Sequence, residues 1–472
     1  MVFAVFLPIV FIIYWSISKL NIKYQNLFLV IVSYIFYGWW DWRFLSLIFI
    51  STLVDYFIGI GLAKCEEKKI RKILLFTSLG INLGILGFFK YFDFFIGSFM
   101  SFSSFFGISL NISTMNIILP VGISFYTLQT LSYSIDVYKK KFTPTKDFIA
   151  FAAFVSFFPQ LVAGPIERAK NLLPQFYKKR EFEYELAVDG LKQMLWGFLK
   201  KMILADQCAI YVDKVFNNYS EYSGSSLVFG AVFFTIQVYA DFSGYSDIAI
   251  GTSKLFGFKL MKNFDYPYFS RDMSEWWRRW HISLTTWFRD YVFIPLGSTR
   301  KNKKLLVRNI FIIYILSGLW HGANWTFIIW GGLNALFSLP YILIKKRKRT
   351  TKIVAKGRLL PSAGELSGML STFSLFTFAV IFFRSETVYD AYKYISIIFS
   401  RTLFSIPDVY KKGLLFIAVF IVIEWFGREC NYPIERIGNN WPRILRWSFY
   451  YLLILCLFLF TTQSQQFVYF QF

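Results

Sequence analysis

The sequence predicts an all-α polytopic membrane protein. Three observations carry this. The 472 residues are 56% hydrophobic and 22% aromatic, with only 17% charged, where an ordinary soluble domain carries about 25%. Apolar runs approaching the roughly 20 residues that cross a bilayer as a helix recur along the whole chain. Basic residues gather in short loops between these runs, at 64–72, 139–141, 178–180, 300–304 and 345–358.

The first run, 2–18, is apolar from Val2, with no basic residue before Lys19 and no small-residue cleavage pattern. It reads as a retained helix and not as a signal peptide. Runs 25–40 and 44–63 flank the aromatic belt Gly38-Trp39-Trp40-Asp41-Trp42. Lys19 and Lys23 mark one side of the bilayer, and the third run returns there to the Lys64–Lys72 loop, which puts the N-terminus outside. Runs 73–89, 117–137, 148–164, 190–206 and 226–250 follow, then 305–330, 331–344, 366–383, 412–426 and 444–461. Segments well under 18 residues are expected to be re-entrant or interfacial, which leaves about 11 true crossings.

Three stretches do not read as simple spans. Residues 92–116 are rich in Phe, Ser and Gly and suit the interface. Residues 207–226 are polar and loop-like. Residues 266–295 carry Arg271, Asp272, Glu275, Arg278, Arg279, Arg289 and Asp290, too many charges to cross. Within that last stretch Trp276, Trp280, Leu284, Trp287 and Tyr291 recur every three or four residues and form an apolar helical face, with His281 and Arg278 off it. No internal repeat or low-complexity linker appears, so residues 1–472 are expected to form a single membrane-embedded domain.

The net charge of +23 fits cytoplasmic loops and anionic headgroups, with no role for nucleic acid. Cys65, Cys208, Cys430 and Cys456 suggest neither a disulfide framework nor a zinc site, and no metal is expected. There is no Gly-rich phosphate loop, serine nucleophile elbow or zinc motif, which excludes the usual soluble ATPase and hydrolase machinery.

Chemistry is confined to few residues, because the chain has two histidines. His321 stands in SGLWHGANW inside the run 305–330, about 24 Å along a helix from Leu305. An intramembrane ionisable residue marks a functional site or a satisfied contact between helices. Hydrocarbon surroundings favour the uncharged ring, and a neutral imidazole can take a proton from a hydroxyl. Asn324 is offset to share its helical face, and Trp320 adjoins it. Gly318 and Gly322 suit close helix packing and leave room beside the ring. His281 stands in WWRRWHISLTTWFRD, where it is equally an interfacial anchor or a functional group. Arg278 and Arg279 beside it suit a phosphate, a carboxylate or lipid headgroups. In DFSGYSDIAIGTS, Asp241 or Asp247 is placed to orient a histidine, to pair with one of these arginines, or to cap a helix beginning near Tyr245.

Several strings also carry a resemblance: LPVGISFYTLQTLSYSIDVY (Leu119–Tyr138), FFPQLVAGPIER (Phe157–Arg168), DFSGYSDIAIG, the stretch Asn263–Gly297, SGLWHGANWTFIIWGG (Ser317–Gly332) and the final YFQF. In this order and spacing the chain resembles the membrane-bound O-acyltransferase family, in its bacterial alginate O-acetylation branch. The resemblance implies that His321 is the central catalytic histidine and His281 the second motif histidine. It implies a ring of tilted helices around a thinned centre, with a tunnel to His321. It implies transfer of an acyl group, usually acetyl, from a cytosolic thioester to an extracytoplasmic polysaccharide from the bacterial inner membrane. The donor would be acetyl-CoA or an acyl carrier thioester, with no permanently bound cofactor. A periplasmic or extracellular acetyltransferase partner would commonly assist. The alternatives are D-alanyl or other acyl transfer to teichoic acid, peptidoglycan or lipid. In a different class stands a flippase for a lipid-linked sugar, with histidines as proton relays. Such a transporter often shows related halves, and none are detectable.

Overall fold

The computed structural model describes residues 2–110, 112–297, 302–343, 353–461 and Phe467. The YFQF end lies outside the described residues, as do parts of the basic loops at 300–304 and 345–358. Every regular element described is a helix. Among the described residues, seven helical stretches are long and apolar enough to cross a membrane: Ile22–Lys64, Lys68–Phe105, Gly224–Leu255, Lys303–His321, Trp325–Leu343, Ala363–Arg384 and Arg443–Phe460. The first contains two 20-residue helices, Ile22–Asp41 and Leu45–Lys64, separated where Asp41 is extended at φ −160°. The multi-pass membrane architecture is therefore as predicted, while a count of about 11 crossings is not reached by these criteria. The runs at 117–137, 148–164 and 412–426 form helices of at most 17 residues, and 148–164 breaks at Phe157.

The stretches read as interfacial, 92–116, and as loop-like, 207–226, are largely helical. Residues 92–105 continue the 38-residue helix Lys68–Phe105. At about 57 Å it is longer than a hydrocarbon core of roughly 30 Å. The polar stretch from 207 is mostly the helix Asp206–Asn217, whose apolar side, including Tyr211, Val212, Val215 and Phe216, is buried. Asp213, Lys214 and Asn217 form the other face of an amphipathic helix, while Asp206 and Gln207 at its start are buried.

The chain forms two compact units, Met1–Gly190 with Thr252–Met261, and Leu191–Gly251 with Lys262–Phe472. In the first, hydrocarbon offers polar groups no partners, so they find one another. Buried Asp55 accepts hydrogen bonds from Ser78 (2.5 Å), Ser134 (2.7 Å) and Asn82 (2.8 Å), which ties three helices together.

The second unit holds both histidines. Asn302 caps the helix Lys303–His321 by accepting from the Leu305 N–H (3.1 Å). That helix ends at His321, because Gly322 is extended at φ −159°. The run read as continuous from 305 to 330 is thus a helix end, a three-residue link and the start of Trp325–Leu343. These two helices meet main chain to main chain. A methyl group on Gly318 would collide with the Phe327 carbonyl, and one on Gly331 with that of Tyr314. Small residues at such a crossing let backbones approach where lipid provides no hydrophobic drive.

The charged stretch 266–295 forms two short helices, Met273–Arg279 and Ile282–Phe288, followed by a π-helical turn at Arg289–Phe293. The periodic face expected of one helix is real in that Trp276, Trp280, Leu284 and Trp287 are all buried. It is nevertheless interrupted at His281, which adopts the left-handed conformation (φ 42°, ψ 54°). Such backbone costs a non-glycine residue on the order of 1–3 kcal/mol and persists where the surroundings hold it. Here they do: the Ile282 N–H donates to the Asn263 carbonyl (2.8 Å) and the Thr285 N–H to the His281 carbonyl (2.9 Å).

Candidate active site

The break at His281 and the helix end at His321 bring the two imidazoles to one cavity. Both line a space of about 60 Å³, together with Trp277, Leu284, Ile313 and Tyr314 among others. One water needs roughly 10–15 Å³ of such space, so small reagents fit. His321 is buried against aromatic edges, with ring centroids at 5.0 Å from Trp320, 5.1 Å from Trp330 and 5.4 Å from Phe383. Trp320 also meets the His281 ring at 5.6 Å, so one indole touches both imidazoles.

His281 is held from behind. Its Nδ1 lies 3.1 Å from Oδ1 of Asn263, which also accepts from the Ser283 hydroxyl (2.9 Å) and N–H (3.3 Å). The Phe242 ring lies edge-on to the imidazole at 4.6 Å. Burial pushes the imidazole down from 6.5 to about 3, so the ring is neutral at ordinary pH. A base whose folded value is depressed binds its proton preferentially in the unfolded chain. Its contribution to stability is whole above pH 6.5 and is lost as pH falls toward 3. We expect thermal stability in detergent to fall through that window, and to fall less steeply in His281→Gln. Equal slopes for the two proteins, measured by scanning fluorimetry from pH 7 to 4, would contradict this assignment.

Of the other predicted site residues, Trp320 packs against both imidazoles without lining the cavity, and Arg278, Arg279, Asn324, Asp241 and Asp247 do not line it either. Arg279 pairs with Asp265 (2.9 Å) and Glu275 (3.0 Å), so its charge is answered within the protein. Arg278 donates to Ser274 (2.7 Å). Asn324 is off the helix of His321. Its amide donates to the Glu386 carbonyl (2.8 Å) and its oxygen accepts from the Thr326 N–H (3.1 Å). No helix begins near Tyr245, because Gly224–Leu255 runs through it, so neither aspartate caps a helix there. The aspartates pair with lysines. Lys201 bridges to Asp241 (2.9 Å) and Asp206 (3.0 Å), and Lys200 to Asp247 (2.6 Å). Both lysines stand on the π-helical stretch Leu199–Ala205, and such bulges concentrate at functional sites. The lysines, Asn263 and Tyr314 were not singled out from sequence. Only Lys200-Lys201 had a visible signal, as two charges inside an apolar run.

Residues 143–383, which include both histidines and every element just described around them, match the model of the membrane-bound O-acyltransferase family. The chain belongs to the membrane-bound O-acyltransferase family. It is accordingly an acyltransferase enzyme set in a membrane through several helices. As a membrane-bound O-acyltransferase it is similar to the probable alginate O-acetylase AlgI of Pseudomonas putida, 36% identical over 99% of this chain and 98% of that protein. It is also similar to the peptidoglycan O-acetyltransferase of Helicobacter pylori, 32% identical over 82% of this chain and 76% of that one. A shorter similarity, 31% over 43% of this chain and 54% of the other, joins it to the teichoic acid D-alanyltransferase of Bacillus subtilis.

Proposed function

We propose that the protein transfers an acetyl group from a cytosolic thioester, acetyl-CoA or an acetylated carrier, to a hydroxyl of a cell-envelope polysaccharide, with His321 as general base. The observation that carries this reading is the meeting of the chain's two imidazoles on one cavity. His321 takes the proton of the acceptor hydroxyl while its oxygen attacks the thioester carbonyl. The new C–O bond forms, the C–S bond breaks, and the proton passes from the imidazolium to the departing thiolate. His281, neutral and fixed by its neighbours, orients a reagent or shares that proton. Aromatic walls keep water from competing as nucleophile. A partner acetyltransferase outside the membrane delivers the group to the polymer or receives it from this chain. The bacterial inner membrane is the setting that joins these two compartments. The names and near-complete coverage of the alginate and peptidoglycan relatives support acetyl as the group and a polysaccharide as the acceptor. The partial likeness to a D-alanyltransferase supports D-alanyl transfer to teichoic acid as the second reading.

The test is release of free CoA from acetyl-CoA by the purified protein in detergent, with acetyl esters on envelope polysaccharides measured in cells with and without the gene. The reading requires thiol release and loss of esters. Intact acetyl-CoA alongside undiminished esters would end it in favour of a flippase-like role.

A further inference from the structure

Asn263 is fully buried in the second unit, 18 residues before His281, and makes a set of contacts that a space-filling residue would not need. Its carbonyl accepts from the Ile282 N–H (2.8 Å), and its side-chain Oδ1 accepts from the Ser283 N–H (3.3 Å) and hydroxyl (2.9 Å). Its Nδ2 donates to Ser246 Oγ (3.1 Å) on the helix Gly224–Leu255. A backbone N–H can only donate, so the amide atom facing Ser283 is the oxygen. The same oxygen lies 3.1 Å from His281 Nδ1. An amide oxygen can only accept, so Nδ1 carries the proton and Nε2 carries the lone pair.

We propose that Asn263 is a positioning residue for the transfer reaction: it holds His281 in the Nδ1–H tautomer, and so sets Nε2 as the basic atom of a ring that lines the cavity shared with His321. This rests on the reading of that cavity as the transfer centre. The bond also fixes the ring's orientation. Asn263 ties together the two main-chain segments whose pairing keeps His281 in its left-handed conformation. The role parallels that of buried acceptors that select the tautomer of a catalytic or metal-bound imidazole. Ser283, whose hydroxyl lies 3.4 Å from the same Nδ1, is a further acceptor within reach, and it cannot enforce one tautomer because a hydroxyl both donates and accepts.

The small number of histidines makes this directly observable. Nitrogen-15 histidine labelling of the full-length protein in detergent gives ring signals from His281 and His321 alone, assigned by His321→Gln. The wild-type His281 ring is expected as pure Nδ1–H. In Asn263→Ala it should become a mixture with Nε2–H, and kcat for acetyl transfer should fall at least tenfold with KM changed less than threefold. Asn263→Asp keeps the acceptor and should restore the Nδ1–H signal and part of kcat. In a His281→Ala background, Asn263→Ala should cost less than a further twofold. An Nε2–H ring in the wild type, an unchanged tautomer in Asn263→Ala, or a full independent loss in the double variant would each overturn the proposal. The tautomer is read without any substrate. A correct tautomer in an enzyme that releases no CoA would refute the transfer reading itself, not the assignment of the proton.

Discussion

Replacement of His321 by alanine is expected to lower acetyl transfer by roughly 10³-fold, within the range of about 10²–10⁴ that a positioned general base contributes. The ring is buried among Trp320, Trp330 and Phe383, so alanine also leaves a void, and a loss of folding would be confused with a loss of chemistry. His321→Gln separates the two. Glutamine keeps most of the volume and a polar end but is no base near neutral pH. It should unfold close to the wild-type temperature and be as inactive as the alanine variant. The measurement is single-turnover CoA release on protein of verified melting temperature. Wild-type rates in both variants would remove His321 from the mechanism.

The second large effect concerns stability. Lys200 is buried, with its ammonium 2.6 Å from Asp247 and 2.9 Å from the Ser243 hydroxyl, while Gln193 donates to the other oxygen of Asp247 at 2.7 Å. Lys200→Ala leaves that carboxylate without its cation in a poorly hydrated place. Breaking such a pair on one side costs about 3–5 kcal/mol, whereas replacing both partners by apolar residues of similar size is often neutral. We therefore expect Lys200→Ala to be strongly destabilised in chemical unfolding from mixed micelles, and the double variant Lys200→Met with Asp247→Leu to recover most of the loss. Equal instability of single and double variants would mean that the pair does more than satisfy its own charges, and would return Asp247 to consideration as a functional group.

Much of this architecture was legible in the chain, and the illegible parts share a cause. The apolar run from Leu305 foretold the helix that carries His321, and its glycines foretold close packing. Its end at Gly322 was hidden because apolar residues continue on the far side and no proline marks the link. The same concealment affected His281. The tryptophan periodicity before and after it is nearly in phase, and nothing in the residue type announces a left-handed backbone there. Long-range pairings left the least trace. Asn263 and His281 are separated by a helix, and Lys200 and Asp247 by 47 positions, so no local pattern links them. Asp241 and Asp247 read as caps or histidine partners because the short-range view offered no lysine. Arg279 read as a ligand for an anion although Glu275, four residues before it on the same helix, is a locally visible partner; only its pairing with Asp265, 14 positions away, left no local trace.

The glycine seam between Lys303–His321 and Trp325–Leu343 has a consequence for selectivity. Where carbonyl oxygens occupy the places that side chains would fill, there is no soft layer to yield, and the imidazole at the end of the seam is fixed before any reagent arrives. Freedom surrendered once, at folding, is not charged again at every turnover. On the proposed mechanism, tolerance for a bulkier acyl group must then come from the helix Ile282–Phe288, where Leu284, Thr285 and Phe288 present replaceable side chains to the cavity. Specificity and catalysis would thus be carved from different surfaces, one able to drift and one not.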